Sequence, residues 1–264
     1  MHYRSHCCDH EPSSIELKSD NIFSRLIESY IREVFDGVLG SKGATNKLLQ
    51  YYFDHLNEAL NVSYNPDSVF YDADLALALK NDIALFSAFK ETSFRKQLES
   101  LMTENGEVVP WNKYRKKALQ VSEEYNVRYL KTEYHHTVAT ANNVEKWKSF
   151  EADADLYPNL KYVAIHDSRT REKHRALDGI ILPINHPFWK THMTPIDWGC
   201  RCDVEQTDED PSDSVPDFDI KNVFKNNAAL SGKIFGEIAY KDTLNDSEVS
   251  EAEIMAKKLL EDNS

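Results

Sequence analysis

The sequence has 264 residues, of which 41% are hydrophobic and 28% are charged. This balance is typical of a globular protein with one large domain or two small ones. No apolar run approaches the roughly 20 residues that cross a bilayer, and residues 1–12 are polar, without the apolar stretch of a secretory signal. We therefore expect no membrane anchor and no export.

The net charge of −13 is concentrated near the C-terminus, because residues 203–264 contain 16 acidic and 6 basic side chains. Such a segment repels a phosphate backbone, so little direct nucleic-acid binding is expected. A short cationic run lies at residues 113–117. On a helix its side chains point in several directions, which favours a solvated face over a binding patch.

The four cysteines form two close pairs, Cys7–Cys8 and Cys200–Cys202. In a reducing cytoplasm such pairs bind metals or pack as thiols more often than they form disulfides. The first pair belongs to a cluster of potential ligands at residues 6–10, but adjacent cysteines share one tetrahedral ion only with strain. We expect residues 1–19 to be a flexible N-terminus.

Residues 20–157 are predicted to be helical, because their apolar side chains recur at intervals of three and four. The first helix is expected to begin at Asp20, a typical N-cap residue, and to end at Gly37. Later apolar stripes predict four more helices, at residues 48–60, 72–104, 112–125 and 127–150. The polar side chains of the last helix, among them Glu133 and His136, are expected to be exposed.

Short runs of β-forming residues predict three strands, at residues 160–165, 180–182 and 202–205. A small β-containing module at residues 158–207 therefore follows the helical region, and the predicted fold class is α+β. Residues 208–264 are predicted to be an acidic linker and a C-terminal segment that ends in a charged helix. Residues 208–219 combine six acids with two prolines, so we expect them to be flexible.

The most informative stretch is residues 165–179, which includes His174, and Cys200 and Cys202 return to the same module 26 residues after this histidine. One histidine and two cysteines in a module too small to fill its own core predict a partial zinc site. The alternative is that the two cysteines point to opposite faces of a strand and that one is a buried apolar thiol. The sequence leaves the fourth ligand open among His166, Asp167, His186, His192 and Asp197.

An enzymatic interpretation would use Asp167, Arg169, Arg171 and His174 on a phosphodiester, with the histidine as general acid or base. The alternative is that Asp167 accepts hydrogen bonds from the turn that it opens and that Arg169 pairs with it. The sequence contains no P-loop, glycine-rich phosphate cradle or Gly-x-Ser-x-Gly elbow. We therefore predict a protein without enzymatic activity.

The order Asp-x-Arg-Thr-x-x-x-His-x-x-Leu-Asp-Gly, followed by an aromatic residue and Pro-x-x-x-x-Cys-Arg-Cys, resembles the Mu F-like domain of phage minor head proteins. The matching residues are Asp167, Arg169, Thr170, His174, Leu177, Asp178, Gly179, Phe188, Pro195, Cys200, Arg201 and Cys202. Many relatives have a histidine where this chain has Asp197, and some have Cys-x-x-Cys where it has His174 alone. If those family positions bind zinc, Asp197 and His174 take their place.

The resemblance implies a minor head protein that associates with the phage portal protein and capsid components. Such a protein acts in head morphogenesis and in DNA delivery, is made in the host cytoplasm and ends in the virion head. The alternative is a metal-dependent nuclease or toxin that carries a Mu F-like domain. The segment after Cys202 argues against this alternative, because it is short and acidic and contains no histidine.

Overall fold

The structure is a computed structural model that describes residues 20–39, 45–216 and 219–263. The predicted flexible N-terminus, with its ligand cluster at residues 6–10, lies outside the described residues. Helices dominate the part before residue 153, and a small sheet follows, so the predicted α+β class is confirmed. None of the described helices is long and apolar enough to cross a membrane.

Long helices build the first part of the chain: α1 Asp20–Asp36, α2 Lys47–Ser63, α3 Ala73–Ser100, α4 Trp111–Ser122 and α5 Leu130–Ala152. Polar side chains fix where two of them begin, as N-cap residues do. The side chain of Asn46 accepts hydrogen bonds from the amides of Leu48 and Leu49 at the start of α2, and Asp72 plays the same part for α3. A short hairpin, β1 Thr103–Glu104 and β2 Glu107–Val108, separates α3 from α4.

The predicted break between the fourth and fifth helices is wrong, because a π-helical segment, Glu123–Tyr129, joins α4 to α5. The buried side chain of Asn126 donates to the Ser122 hydroxyl and accepts from the Tyr52 hydroxyl. The carbonyl oxygen of Tyr125 accepts a hydrogen bond from Lys90 at 2.8 Å. The contacts with Tyr52 and Lys90 come from α2 and α3 and stabilise the wider turn, so its cause is tertiary as well as local.

The expectation that Glu133 and His136 are exposed is also wrong, because both are buried. Glu133 lies 2.9 Å from the ammonium of Lys90, whose side chain has no exposed surface. Four tyrosine rings surround this ammonium with centroids 5.1–5.9 Å away, those of Tyr52, Tyr125, Tyr129 and Tyr240. A buried lysine needs a counter-ion, and Glu133 supplies it.

The cationic run at residues 113–117 lies on α4, where its side chains pair with nearby acids. Lys113 and Lys117 contact Glu104 of the hairpin, and Arg115 contacts Glu28 of α1. The run therefore forms ion pairs on a solvated helix face.

The small sheet has the strand order β4–β3–β5, with β3 Asn159–Val163, β4 Ile181–Pro183 and β5 Asp203–Thr207, and both pairings are antiparallel. Leu160 faces Leu182, and Tyr162 faces Val204. Among the residues that the structure describes, one cluster of buried apolar side chains runs from the helical region into this sheet. A module of about 50 residues is marginally stable alone, and this shared core contributes to its stability.

The C-terminal segment packs on the helical region through α7 Ala228–Ser231 and α8 Asp246–Asp262. Helix α8 lies along α3, where Arg95 pairs with Glu251 and Lys96 pairs with Glu248. In the acidic stretch before it, the amide of Ser212 donates to the carbonyl of Ile181 on β4. The flexibility of residues 208–219 stays a prediction.

Asp82 of α3 holds the C-terminal segment, because its Oδ2 accepts hydrogen bonds from the amides of Ile234 and Phe235. Burial raises the pKa of this carboxyl to about 6. Since the unfolded value is about 4, the folded state binds the proton more tightly. Through this group, stability therefore falls as the pH rises from about 4 to about 6.

We expect Asp82→Asn to remove this part of the pH dependence of stability, because the side chain no longer titrates. Its amide oxygen can still accept both hydrogen bonds. Asp82→Ala should lower the free energy of unfolding by about 2–4 kcal/mol, since it leaves two buried amides unpaired. Urea denaturation between pH 4 and pH 8 measures both effects against the parent protein. An Asp82→Asn variant with the same pH dependence as the parent would contradict this assignment.

Candidate metal centre

The turn that carries His174 is organised by Asp167. Its Oδ1 accepts hydrogen bonds from the amide of Arg169 and the hydroxyl of Thr170. The guanidinium of Arg201 adds two hydrogen bonds, at 2.7 and 2.8 Å. The Arg201 hydrogen bonds lead the effects that hold the pKa of Asp167 well below its usual range. The ionised carboxylate thus ties the turn before α6 Glu172–Arg175 to the loop that contains both cysteines.

The structure brings His174, Cys200 and Cys202 together, with one ligand atom from each within 4.8 Å of the others. The Nδ1 atom of His174 lies 3.5 Å from the sulfur of Cys200 and 3.4 Å from that of Cys202. Two sulfurs and one nitrogen around a tetrahedral zinc ion give N–S distances of about 3.6 Å, from the usual bond lengths. The donor set and its spacing therefore fit a metal ion.

The two cysteine sulfurs accept hydrogen bonds from the main chain. The amides of Ile196 and Cys202 donate to Cys200, and that of Ile165 donates to Cys202. A hydrogen bond from the Cys202 thiol, followed by one from His174 and these amides, lowers the pKa of Cys200 despite its burial. The pKa of Cys202 is raised in turn, first by its hydrogen bond to Cys200 and then by burial. The pair therefore shares one proton, which a metal that binds both sulfurs as thiolates would displace.

Tyr162 of β3 lies beneath this cluster and has no exposed surface. Burial, and then the charge of the neighbouring cysteine sulfurs, raise the pKa of its hydroxyl. The phenol is therefore neutral and lies close to the sulfurs. Neither this hydroxyl nor the Nε2 atom of His174 has a hydrogen-bond partner among the described residues.

The other candidates for a fourth ligand are engaged elsewhere. Asp197 lies 3.2 Å from Lys173 and 3.5 Å from Arg171, and its Oδ1 accepts from the amide of Trp198. His166 pairs with Asp178 on the exposed side of the turn. The side chain of His186 caps a 3-10 turn, and His192 stacks on Phe188. Asp167 is bound to Arg201.

Sequence reasoning therefore grouped the three ligand candidates, but it missed two residues that shape their surroundings. Tyr162 looked like an ordinary strand residue, although its period-two spacing from the buried Leu160 indicated an inward side chain. Arg201 belongs to the motif, but its contact with Asp167, which lies 34 residues earlier, was not predicted. A pairing across such a separation leaves no periodic signal in the sequence.

In the structure, the charged side chains that would act on a phosphodiester contact other groups of the protein. Asp167 is engaged by Arg201 and by the turn, and Arg169 lies 3.7 Å from the same carboxylate. Arg171 donates to the carbonyl of Trp198. These contacts match the alternative that the sequence left open, in which the charged side chains hold the turn together.

A helical array that carries a three-stranded antiparallel sheet, with a His-Cys-Cys cluster in its loops, defines the chain as an α+β protein with a candidate metal centre. Residues 92–205 match the model of the family described as Phage Mu protein F like protein. The match includes α4, α5 and the whole cluster, and extends well before the motif at residues 165–202. Over this region the chain is similar to the Mu F-like family, as the motif predicted.

Two curated relatives support the assignment. The chain is 33% identical over 126 residues to the Mu-like prophage FluMu F protein of Haemophilus influenzae, which covers 48% of this chain and 30% of that protein. It is 39% identical over 77 residues to the putative capsid assembly protein F of Escherichia phage Mu, which covers 29% of this chain and 18% of that protein. The chain thus spans less than a third of either relative. No solved structure matches it significantly.

Proposed function

We propose that this chain is a phage minor head protein that associates with the portal and acts in head morphogenesis and DNA delivery. The observation that carries the proposal is the Mu F-like match over residues 92–205, because one of the relatives that share this region is named a capsid assembly protein. In this proposal the protein contacts portal and capsid components in the host cytoplasm and remains in the virion head. It has no enzymatic activity of its own.

The geometry around Asp167 supports a structural role over a nuclease. A nuclease needs charged side chains that are free to bind phosphate and to transfer protons. Here the carboxylate of Asp167 is bound by Arg201 and by the turn. The acidic stretch over residues 203–264 disfavours a nucleic-acid substrate as well.

If the proposal is right, the protein should copurify with purified procapsids and virions at a few copies per portal. Quantitative mass spectrometry of particles produced by a phage that carries this gene measures the ratio. A tail protein and a host cytosolic protein serve as controls for carry-over. Absence of the chain from both kinds of particle would contradict the proposed role.

We also propose that His174, Cys200 and Cys202 bind one zinc ion, and that residues 158–207 form a module which this ion stabilises. Two thiolates and one imidazole suit zinc better than a hard oxygen-seeking cation. The N–S distances near 3.5 Å support the assignment. In this role the metal ties α6 to the loop before β5, and so joins the two ends of the motif.

A further inference from the structure

A cavity of about 400 Å³ lies away from the His-Cys-Cys cluster, where α3, the start of α5, the loop before Cys200 and the C-terminal segment meet. Sites for small organic ligands have this size and a mostly apolar lining. Four aromatic side chains contribute to the lining, those of Phe86, Tyr129, Trp198 and Tyr240. Rings of this kind pack well against another flat ring. The cavity therefore has the size and the walls of a site for an aromatic group.

The aromatic walls are held in place by neighbouring rings. Phe86 stacks on Phe235 with centroids 3.7 Å apart, and Trp198 meets Phe224 edge-on at 5.0 Å. The hydroxyl of Tyr240 donates to the carboxylate of Glu133. Because these contacts exist without a ligand, the cavity is formed in advance, and binding does not have to order its walls.

The polar groups inside the cavity already have partners. The carboxylate of Glu133 lies 2.9 Å from the ammonium of Lys90, which neutralises its charge. The hydroxyl of Thr132 donates to the carbonyl oxygen of Arg128 at 2.9 Å. The interior therefore has no net charge, and a polar group placed there would compete with hydrogen bonds that the protein makes itself. The part of a ligand that enters should be apolar.

The exposed side of the cavity carries a positive charge, that of Arg128. No ion pair within the described part of the chain includes this arginine. Glu124, four residues earlier, accepts a hydrogen bond from the Tyr129 hydroxyl at 2.6 Å instead. The guanidinium is thus available to an external anion, and a carboxylate matches its paired donors. An acid group at the edge of a ligand would complete the site.

We propose that this cavity binds an aromatic carboxylate, with the ring between Trp198 and Tyr240 and the carboxylate on Arg128. The inference is independent of the proposed metal centre, because none of the three candidate ligands lines this cavity. The aromatic carboxylate can be a free small acid. It can also be an aromatic side chain next to an acidic one on a partner protein, and the cavity would then be a contact between two chains.

The indole N–H signals of the four tryptophans provide the test, because only Trp198 lines the cavity. The full chain is titrated with phenylacetate in an NMR experiment, and Trp198→Phe assigns the signal. We expect a saturable shift of the Trp198 signal, while those of the other tryptophans stay in place. Acetate lacks the ring and should cause no such shift. Phenethylamine has the ring but a positive charge, and should bind more weakly because Arg128 repels it.

Two pairs of matched variants control the titration. Ala239→Phe places a ring in the cavity at an exposed residue and should abolish the shift, whereas Ala152→Phe adds the same ring at an exposed residue outside it. Arg128→Ala should weaken binding about threefold, the size of one exposed ion pair, and Arg128→Lys should restore most of it. Arg25→Ala removes an exposed arginine elsewhere and should change nothing.

A second probe, the peptide acetyl-Asp-Phe-Asp-amide, separates the two sources of the ligand. A peptide that binds more tightly than phenylacetate assigns the site to a partner protein, and the reverse order assigns it to a free acid. If neither probe shifts the Trp198 signal, or if Ala239→Phe leaves the shift intact, the cavity is not the binding site. Equal affinity for phenylacetate and phenethylamine would overturn the part assigned to Arg128, and with it the carboxylate.

Discussion

Lys90→Met should lower the free energy of unfolding by about 3–5 kcal/mol, because it leaves the carboxylate of Glu133 buried without its counter-ion. Lys90 and Glu133 are 0% and 3% exposed, so water cannot replace the missing charge. The same ammonium also donates to the carbonyl of Tyr125 in the π-helical segment. We therefore expect the variant to loosen the junction of α4 and α5 as well as α3.

Urea denaturation measures the change in the free energy of unfolding. Two further variants test whether this change comes from the buried pair. Lys96→Met lies on the same helix but breaks an exposed pair with Glu248, and should cost about 1 kcal/mol or less. The double variant Lys90→Met, Glu133→Leu should be more stable than Lys90→Met alone, since it removes both buried charges. A Lys90→Met variant as stable as Lys96→Met would show that Glu133 finds another partner.

Removal of the metal should destabilise the module at residues 158–207 before the rest of the chain. Protein purified without a histidine tag should contain about one equivalent of zinc. A chelator should lower stability by about 3 kcal/mol where free zinc had exceeded its dissociation constant a hundredfold. His174→Ala, Cys200→Ala and Cys202→Ala should have similar effects, because each removes one ligand of the same ion.

Matched variants separate this effect from packing. His166→Ala removes an exposed histidine of the same turn that pairs with Asp178, and it should retain the metal. Trp189→Ala removes a ring without exposed surface and should cost about 3–5 kcal/mol whether or not metal is present. Full stability at a metal content near zero would leave the cluster as a packing motif.

The core that residues 158–207 share with the helical region explains how both packing and a metal can stabilise this module. His136 of α5 packs against the ring of Trp198, with centroids 5.1 Å apart, and against Phe224 and Phe235 of the C-terminal segment. These contacts join the loop before Cys200 to the helical region. Burial lowers the pKa of His136 to about 4, so the ring is neutral at pH 7. A bound metal would therefore stabilise a loop that packing already positions.

Much of the architecture could be predicted from the sequence, because it follows from local patterns. Apolar spacing of three and four gave the positions of α1, α2 and α3, and the acidic helix near the C-terminus matches α8. Runs of β-forming residues gave the three strands of the sheet. The sequence also grouped His174, Cys200 and Cys202, and the structure brings these three side chains together; that they bind a metal stays a prediction.

The contacts that only the tertiary structure decided link residues far apart in the sequence. The sequence pattern predicts that Glu133 is solvated, but in the structure it is buried beside Lys90, which lies 43 positions earlier. The π-helical segment depends on Tyr52 and Lys90, which belong to other helices. Asp197 was the fourth ligand that the family resemblance suggested, but Lys173 and Arg171 pair with its carboxylate. Periodicity reports which face of an element is apolar, whereas the partner of a buried charge is set by how the elements pack.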